Sequence, residues 1–176
     1  KKILERRGHK FRTNSDTEVA LRCYIEWGEG CQEMFNGMWS MAIYNPFNSE
    51  LFISRDRFGV KPLYLFFQGD DSIFFASEVK SFGHLPTRLR LNCDDATLSF
   101  LAKRPNNDPT LNGPIYSLPA GHSLTIYKNL KTKLNQWWKI SNYLVDLSSV
   151  NDDELTENFS SLFFSALKLR TRSDAK

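Results

Sequence analysis

Between residues 35 and 77 lie four short runs of strand-forming residues, and no other feature narrows the fold of this chain so far. The runs are "FNGMWSMAIYN", "LFIS", "LYLFF" and "SIFFAS", separated by Gly, Asp, Asn and Pro at intervals too short for a helix. That spacing predicts an antiparallel meander. Phe35, Gly37, Trp39 and Ala42 read as core positions of a buried strand, with Gly37 allowing close approach of another backbone. Farther along, "SLPAGHSLTIYKN" predicts a turn and a strand, and "LNQWWKI" a last strand. Trp137 or Trp138 is expected to pack across the linker that follows.

Helical signals flank these runs. "KKILERRG" reads as the end of a helix, with basic residues crowding the turn where they complement free carbonyls and Gly8 as its stop. No start signal precedes it, so a lost N-terminal portion is expected. "KFRT" predicts a short strand. Ser15 and Glu18 have the spacing of a capping box, and Val19, Ala20, Cys23, Tyr24 and Trp27 follow at helical intervals up to Gly28. "CDDATLSFLAKR" predicts a modest helix. Leu155, Phe159, Leu162, Phe163, Ala166 and Leu167 mark one face of a longer amphipathic helix that needs a partner surface.

Several classes of function are disfavoured at this level. A net charge of +3, from scattered basic residues, lacks the clustering of a nucleic-acid surface. With 41% hydrophobic and 24% charged residues, the chain is globular rather than disordered. No apolar run reaches membrane-spanning length, and residues 1–10 lack the apolar core of a signal peptide. Cys23, Cys31 and Cys93 have no metal-type spacing and read as reduced, mostly buried thiols of a cytoplasmic protein. His9, His84 and His122 are isolated, and no metal is assigned to them.

A charged cluster interrupts the apolar meander in "ISRDRFGVKPLY". Arg55 and Asp56 are adjacent, so in a strand they point to opposite faces and need not pair with each other. Apolar residues on both sides argue against a solvated turn. Each charge is expected to be buried or half buried with its own partner, because a buried charge persists only when paired and hydrogen-bonded. Gly59 and Pro62 would shape a tight connection, the first permitting unusual backbone angles and the second setting one. Glu78, in "FASEVK", is expected to be a caged carboxylate holding a neighbouring loop, with general-base chemistry as the alternative. Asp16 read alone is an acid at a helix N-terminus, where acids are favoured by about 0.3–1 kcal/mol.

"SDTEV", "FNGMWSMAIYN", "SRDRFGVKPLY", "FFASEVKSF", "LPAGHSL" and "ALKLRTRSD", in that order, resemble the glutamine-hydrolysing asparagine synthetases, in the second half of their class II glutamine amidotransferase domain. The resemblance covers nearly the whole chain. It implies an α+β fold of the four-layer αββα N-terminal-nucleophile type, present in part and built on antiparallel sheets. Residues 1–145 would be the C-terminal portion of that domain, and 146–176 a linker and the first helix of the synthetase domain. In such enzymes an N-terminal cysteine attacks the side-chain amide of glutamine, its own α-amine acting as base. The released ammonia meets an aspartate carboxylate activated by ATP. By the same resemblance Asp16 binds the α-ammonium of glutamine, whereas Arg55, Asp56, Gly59, Pro62 and Glu78 are structural residues near the site.

The catalytic cysteine has no counterpart here, since residue 1 is lysine and neither Cys23 nor Cys31 can offer a free α-amine. The family's carboxylate-binding arginine and oxyanion-hole pair would lie upstream, and its pyrophosphate loop downstream. The reading is therefore of a fragment that binds no cofactor itself, is inactive and poorly soluble alone, and belongs to an enzyme using L-glutamine, L-aspartate, ATP and Mg2+, with homodimerisation of the intact form left open. Two alternatives stand beside it: an amidotransferase with another acceptor, and a degenerate glutaminase fold surviving as a docking module.

Overall fold

Strand β2 (Glu50–Arg55) explains the architecture, because both of its faces are covered: Phe52 and Ile53 are adjacent and both fully buried. A strand with apolar neighbours front and back belongs in the middle of a layered structure. The computed structural model describes residues 1–69, 71–85, 115–144, 146 and 151–171. Its other strands are β1 (Ser40–Asn45), β3 (Tyr64–Gln68), β4 (Ser72–Ala76), β5 (Ile115–Ser117), β6 (His122–Ile126) and β7 (Thr132–Gln136). Helices α1 (Lys2–Arg6) and α2 (Asp16–Trp27) precede them, and α3 (Asp152–Arg170) follows.

The strands form two antiparallel sheets, ordered β1-β2-β6-β7 and β4-β3-β5. Ile53 of β2 is level with Leu124 of β6, and these two, with Ile126, pack against Leu63, Leu65 and Leu118 from the second sheet and its flanks. That cluster is the core between the sheets. On the other face of the first sheet, Phe52 packs with Leu4 of α1, Cys23 of α2 and Cys31, and its ring stacks on Tyr24 at 5.0 Å. On the other face of the second sheet, Phe66 and Ile115 pack with Phe82 from the 3-10 turn Val79–His84. The succession is helix, sheet, sheet, helical turn, which makes the fold α+β with stacked antiparallel sheets. The helix expected over "CDDATLSFLAKR", and Cys93 with it, lies outside the described residues.

The four runs do not form one meander. β1 and β2 pair in one sheet and β3 and β4 in the other, so the chain changes sheets at residues 56–63. Nor is the first run a buried strand. Only Ser40–Asn45 of it is extended within a sheet, and among the described residues β1 is an edge strand. Gly37 and Ala42 are exposed, Phe35 and Trp39 half-buried, and a Cβ on Gly37 would meet no atom within 4 Å. Edge placement leaves one flank without a neighbouring strand, and periodicity cannot distinguish that from a central position. "KFRT" is irregular, because its backbone is held by the helix that follows.

Two compact units divide the chain between Lys139 and Ile140. In the first, the rings of both tryptophans pack inside the unit: Trp137 stacks on Trp39 at 5.6 Å, and Trp138 meets Phe58 edge-on at 5.0 Å. In the second, Asn151 caps α3 by accepting the Glu154 amide at 2.8 Å. The acids Asp152, Asp153 and Glu154 open the helix, and Lys168 and Arg170 close it. Both charge groups suit the helix dipole.

Candidate functional site

At the crossing between sheets, Asp56 is buried and its carboxylate accepts four backbone N–H groups. Oδ1 takes Phe58 at 3.1 Å and Val60 at 3.0 Å; Oδ2 takes Lys61 at 3.0 Å and Trp39 at 3.3 Å. The turn over residues 57–61 is wound around this one side chain, which supplies acceptors that the irregular backbone could not find in a sheet. The Asp56 backbone is equally engaged. Its N–H donates to Trp39 O at 3.0 Å, and its carbonyl accepts Gly59 N at 3.1 Å and Gly121 N at 2.9 Å.

Arg55, also buried, turns to the opposite face and serves the second sheet. Nε donates to Lys61 O (2.8 Å), Nη1 to Ser117 Oγ (2.8 Å) and Leu118 O (2.6 Å), and Nη2 to Gly59 O (2.7 Å). No ion pair joins it to Asp56. Burial lowers the guanidinium pKa while the neighbouring carboxylate raises it, and an arginine stays charged under such opposing pulls. The two adjacent charges therefore have different partners, as their sequence position led us to expect.

Gly59 fits this knot for two reasons: its φ is +63°, and a Cβ there would come within 3.1 Å of both Ala120 Cβ and Arg55 Cζ. Gly121 is held more tightly still, with a φ of +66° and a Cβ position 2.6 Å from the Trp138 carbonyl oxygen. Pro62 is exposed and follows Lys61, whose N–H and carbonyl are taken by Asp56 and Arg55. Three separated stretches, "FNGMW", "SRDRFGVKP" and "LPAGH", thus meet at a single point. Trp39 joins it to a buried polar chain: its Nε1–H donates to Ser54 Oγ at 3.3 Å, Ser54 donates to Gln32 Oε1 at 2.6 Å, and Gln32 Nε2 donates to Ser123 Oγ at 3.3 Å. Sequence reasoning missed these partners, for nothing in the chain marks Gln32, Ser54 and Ser123 as neighbours.

Asp16 lies elsewhere, as the first residue of α2. It is exposed, and its carboxylate makes no hydrogen bond or ion pair among the described residues. The capping box expected at Ser15 and Glu18 does not form in that pattern. Ser15 Oγ accepts the Thr17 amide at 3.2 Å, while Glu18 passes over Ser15 and grips the preceding loop. Its carboxylate accepts Arg12 N at 3.0 Å and Thr13 N and Oγ1, both at 2.7 Å. Bonds from Thr13 and Arg12 hold the Glu18 pKa down to about 2. The loop, short of acceptors, reaches the carboxylate before Ser15 N can. Ser15 N donates instead to Thr13 Oγ1 at 3.2 Å.

Glu78 does not form the expected cage. It is exposed at the start of the 3-10 turn and pairs with Lys80 on the surface. The apolar strand before it ends at Ala76, so the chain has left the sheet by the time it reaches Glu78. No hydrogen bond or ion pair connects Asp16 or Glu78 to the knot around Asp56.

Cys23 and Cys31 are buried free thiols. Burial raises both pKa values, that of Cys31 to about 12, which keeps it protonated and unsuited to nucleophilic attack. Among the described residues no group of three or more His, Cys, Asp or Glu could hold a metal ion, and no helix is long and apolar enough to cross a membrane. A groove between the β1–β2 and β6–β7 turns, lined by Glu50, Tyr127, Lys128 and Lys131 among others, contains none of the expected site residues.

Facing antiparallel sheets with helical elements packed on their outer faces are the stacked α+β arrangement of the N-terminal-nucleophile fold. The chain belongs to the glutamine amidotransferase domain family, whose model matches residues 1–138. It is 33% identical over 179 residues to asparagine synthetase [glutamine-hydrolyzing] 3 of Bacillus subtilis, covering 99% of this chain and 28% of that protein. With asparagine synthetase [glutamine-hydrolyzing] 2 of the same organism it shares 32% identity over 182 residues, covering 96% and 24%. The chain thus spans about a quarter of the length of these relatives. In fold it resembles the glutamine phosphoribosylpyrophosphate amidotransferase from B. subtilis, solved with ADP and GMP, at a TM-score of 0.53 and 20% identity over 78% of this chain and 26% of that one.

Proposed function

We propose that this chain is part of the glutamine-hydrolysing half of a cytoplasmic asparagine synthetase, in which it binds the donor amino acid. The observation that carries the reading is the free carboxylate of Asp16, set at the N-terminus of α2 within "SDTEV". An α-ammonium presents three N–H donors, and an ionised carboxylate with both oxygens free accepts them through charge-assisted hydrogen bonds. Relatives named as asparagine synthetases align over nearly the whole chain and support the choice of acceptor.

In this reading, residues 1–145 belong to the glutaminase domain and 146–176 lead into the synthetase domain. The knot of Arg55, Asp56, Gly59 and Pro62 fixes a wall beside the donor site, and Glu78 stands near it on the surface. Glutamine hydrolysis supplies ammonia, which reacts with L-aspartate activated by ATP and Mg2+ to give asparagine, AMP and diphosphate. Among the described residues no group of three or more His, Cys, Asp or Glu could hold the metal ion, and in this reading the nucleotide is bound outside them. That chemistry falls to the rest of a chain of the relatives' length, which could assemble as a homodimer.

Asp16→Asn in the full-length protein tests the contact. Losing a charge-assisted bond, worth about 1.5–3 kcal/mol, should raise the KM for glutamine by about tenfold or more, while synthesis from added ammonia, which bypasses the donor site, reports that the protein is folded. A glutamine KM equal to that of the unsubstituted protein would refute the reading.

A further inference from the structure

Asp16 and Glu18 are two residues apart at the start of α2, yet their carboxylates are in opposite states. Asp16 is exposed and free of bonds. Glu18 is fully engaged: Oε2 takes Thr13 N and Thr13 Oγ1, both at 2.7 Å, and Oε1 takes Arg12 N at 3.0 Å. Arg22, one turn along the helix, brings Nη2 to 4.0 Å from Oε1. The grip extends to the cap itself, because the Thr13 hydroxyl that donates to Glu18 also accepts the Ser15 N–H at 3.2 Å. Lys1 holds the same loop from outside, its ammonium donating to Thr13 O at 3.4 Å and Asn14 Oδ1 at 3.0 Å.

This arrangement divides labour between the two acids. Three donors already make four contacts with this carboxylate, Arg12 N bridging both oxygens at 3.0 and 3.2 Å, so an ammonium would have to compete with the loop for Glu18. What it does instead is set the conformation of residues 12–15, from which Asp16 projects. We propose that Glu18 is a positioning residue for the donor site: by clamping the Arg12–Thr13 backbone it fixes the cap of α2 and leaves the Asp16 carboxylate oriented and free for the substrate ammonium. The proposal rests on the Asp16–glutamine contact put forward above. With its pKa held at about 2, Glu18 stays ionised, and the clamp intact, at any pH at which such an enzyme would be assayed.

Glu18→Gln removes the charge and turns an N–H2 donor toward N–H donors. Thr13→Val removes the hydroxyl that donates to Glu18 and accepts from Ser15 but keeps the Thr13 N–H bond, and Thr13→Ser retains the hydroxyl. In the full-length protein, with ammonia-dependent synthesis as the report of folding, Glu18→Gln should raise the glutamine KM about tenfold and Thr13→Val about threefold, with kcat changed less than KM in each case, while Thr13→Ser restores the original KM. A merely structural glutamate would lower both activities together and leave KM alone. If Glu18→Gln does not fold, the Thr13 pair decides. Glutamine KM values within twofold of the original for Thr13→Val and for any folded Glu18→Gln protein, alongside a raised KM for Asp16→Asn, would overturn the positioning role and leave the Asp16 contact standing. An unchanged KM for Asp16→Asn would remove the contact itself.

Discussion

Asp56 shows how one side chain can organise a turn. Four amides close on its carboxylate, from residues on both sides of the sheet crossing, and its carbonyl holds Gly121 as well. Removing it would leave those part-buried donors without their acceptor and Arg55 buried without the opposite charge beside it. Asp56→Ala should therefore cost about 3–5 kcal/mol of unfolding free energy, measured by denaturant titration. A loss under about 1 kcal/mol would mean that water reaches the turn and the carboxylate is dispensable. At this scale the sequence was informative about burial, since two charges inside an apolar run must either be paired or be solvated. Partner identity was not legible: Trp39, Ser117 and Leu118 reach the pair through tertiary contact alone. The same reasoning misplaced Glu78, because an apolar strand before a carboxylate does not say whether the chain stays in the sheet.

Helix α2 carries the candidate site at its first turn, and its stability there depends on pH. Glu18 has a folded-state pKa of about 2 against an ordinary value of 4.5, lowered chiefly by the Thr13 hydroxyl and then by the Arg12 amide. The unfolded chain therefore binds a proton at higher pH than the folded one does. The contribution of this carboxylate is fully present above its unfolded pKa, near 4.5, and is lost as pH falls through about 2. An acid titration followed by carboxyl 13C NMR should find Glu18 ionised at pH 3, where ordinary glutamates are protonated. A Glu18 midpoint near 4.5 would show that the clamp on residues 12–13 does not persist in solution. The helix itself was readable from its apolar spacing, and so was the acid-rich start. The cap pattern was not, because a short loop with unmet amides competes for the same carboxylate.

For the whole molecule, the unresolved matter is apolar surface. The stripe on α3 is exposed, with Phe159 67%, Leu162 72% and Phe163 53% accessible. Apolar surface of this kind, left exposed to water, favours association. Sedimentation velocity on the 176-residue chain alone should show concentration-dependent self-association, and Phe159→Glu with Leu162→Glu should shift it toward monomer. An unchanged distribution would place the sticky surface elsewhere, at the exposed edges of the two sheets.

Local chemistry determined what local chemistry can: strand-forming runs and their breaks, an amphipathic helix at either end, adjacent charges that point to opposite faces of a strand, and motif segments that resemble one family. All of these follow from residue type and short-range spacing, which set periodicity and turn geometry. Tertiary structure alone decided that the chain changes sheets at Asp56, that β1 is an edge, that Glu78 faces solvent, and that "FNGMW", "SRDRFGVKP" and "LPAGH" converge on one knot. Those outcomes depend on which distant segments supply each other's hydrogen bonds and cover each other's apolar faces. No pattern within a single stretch records that pairing.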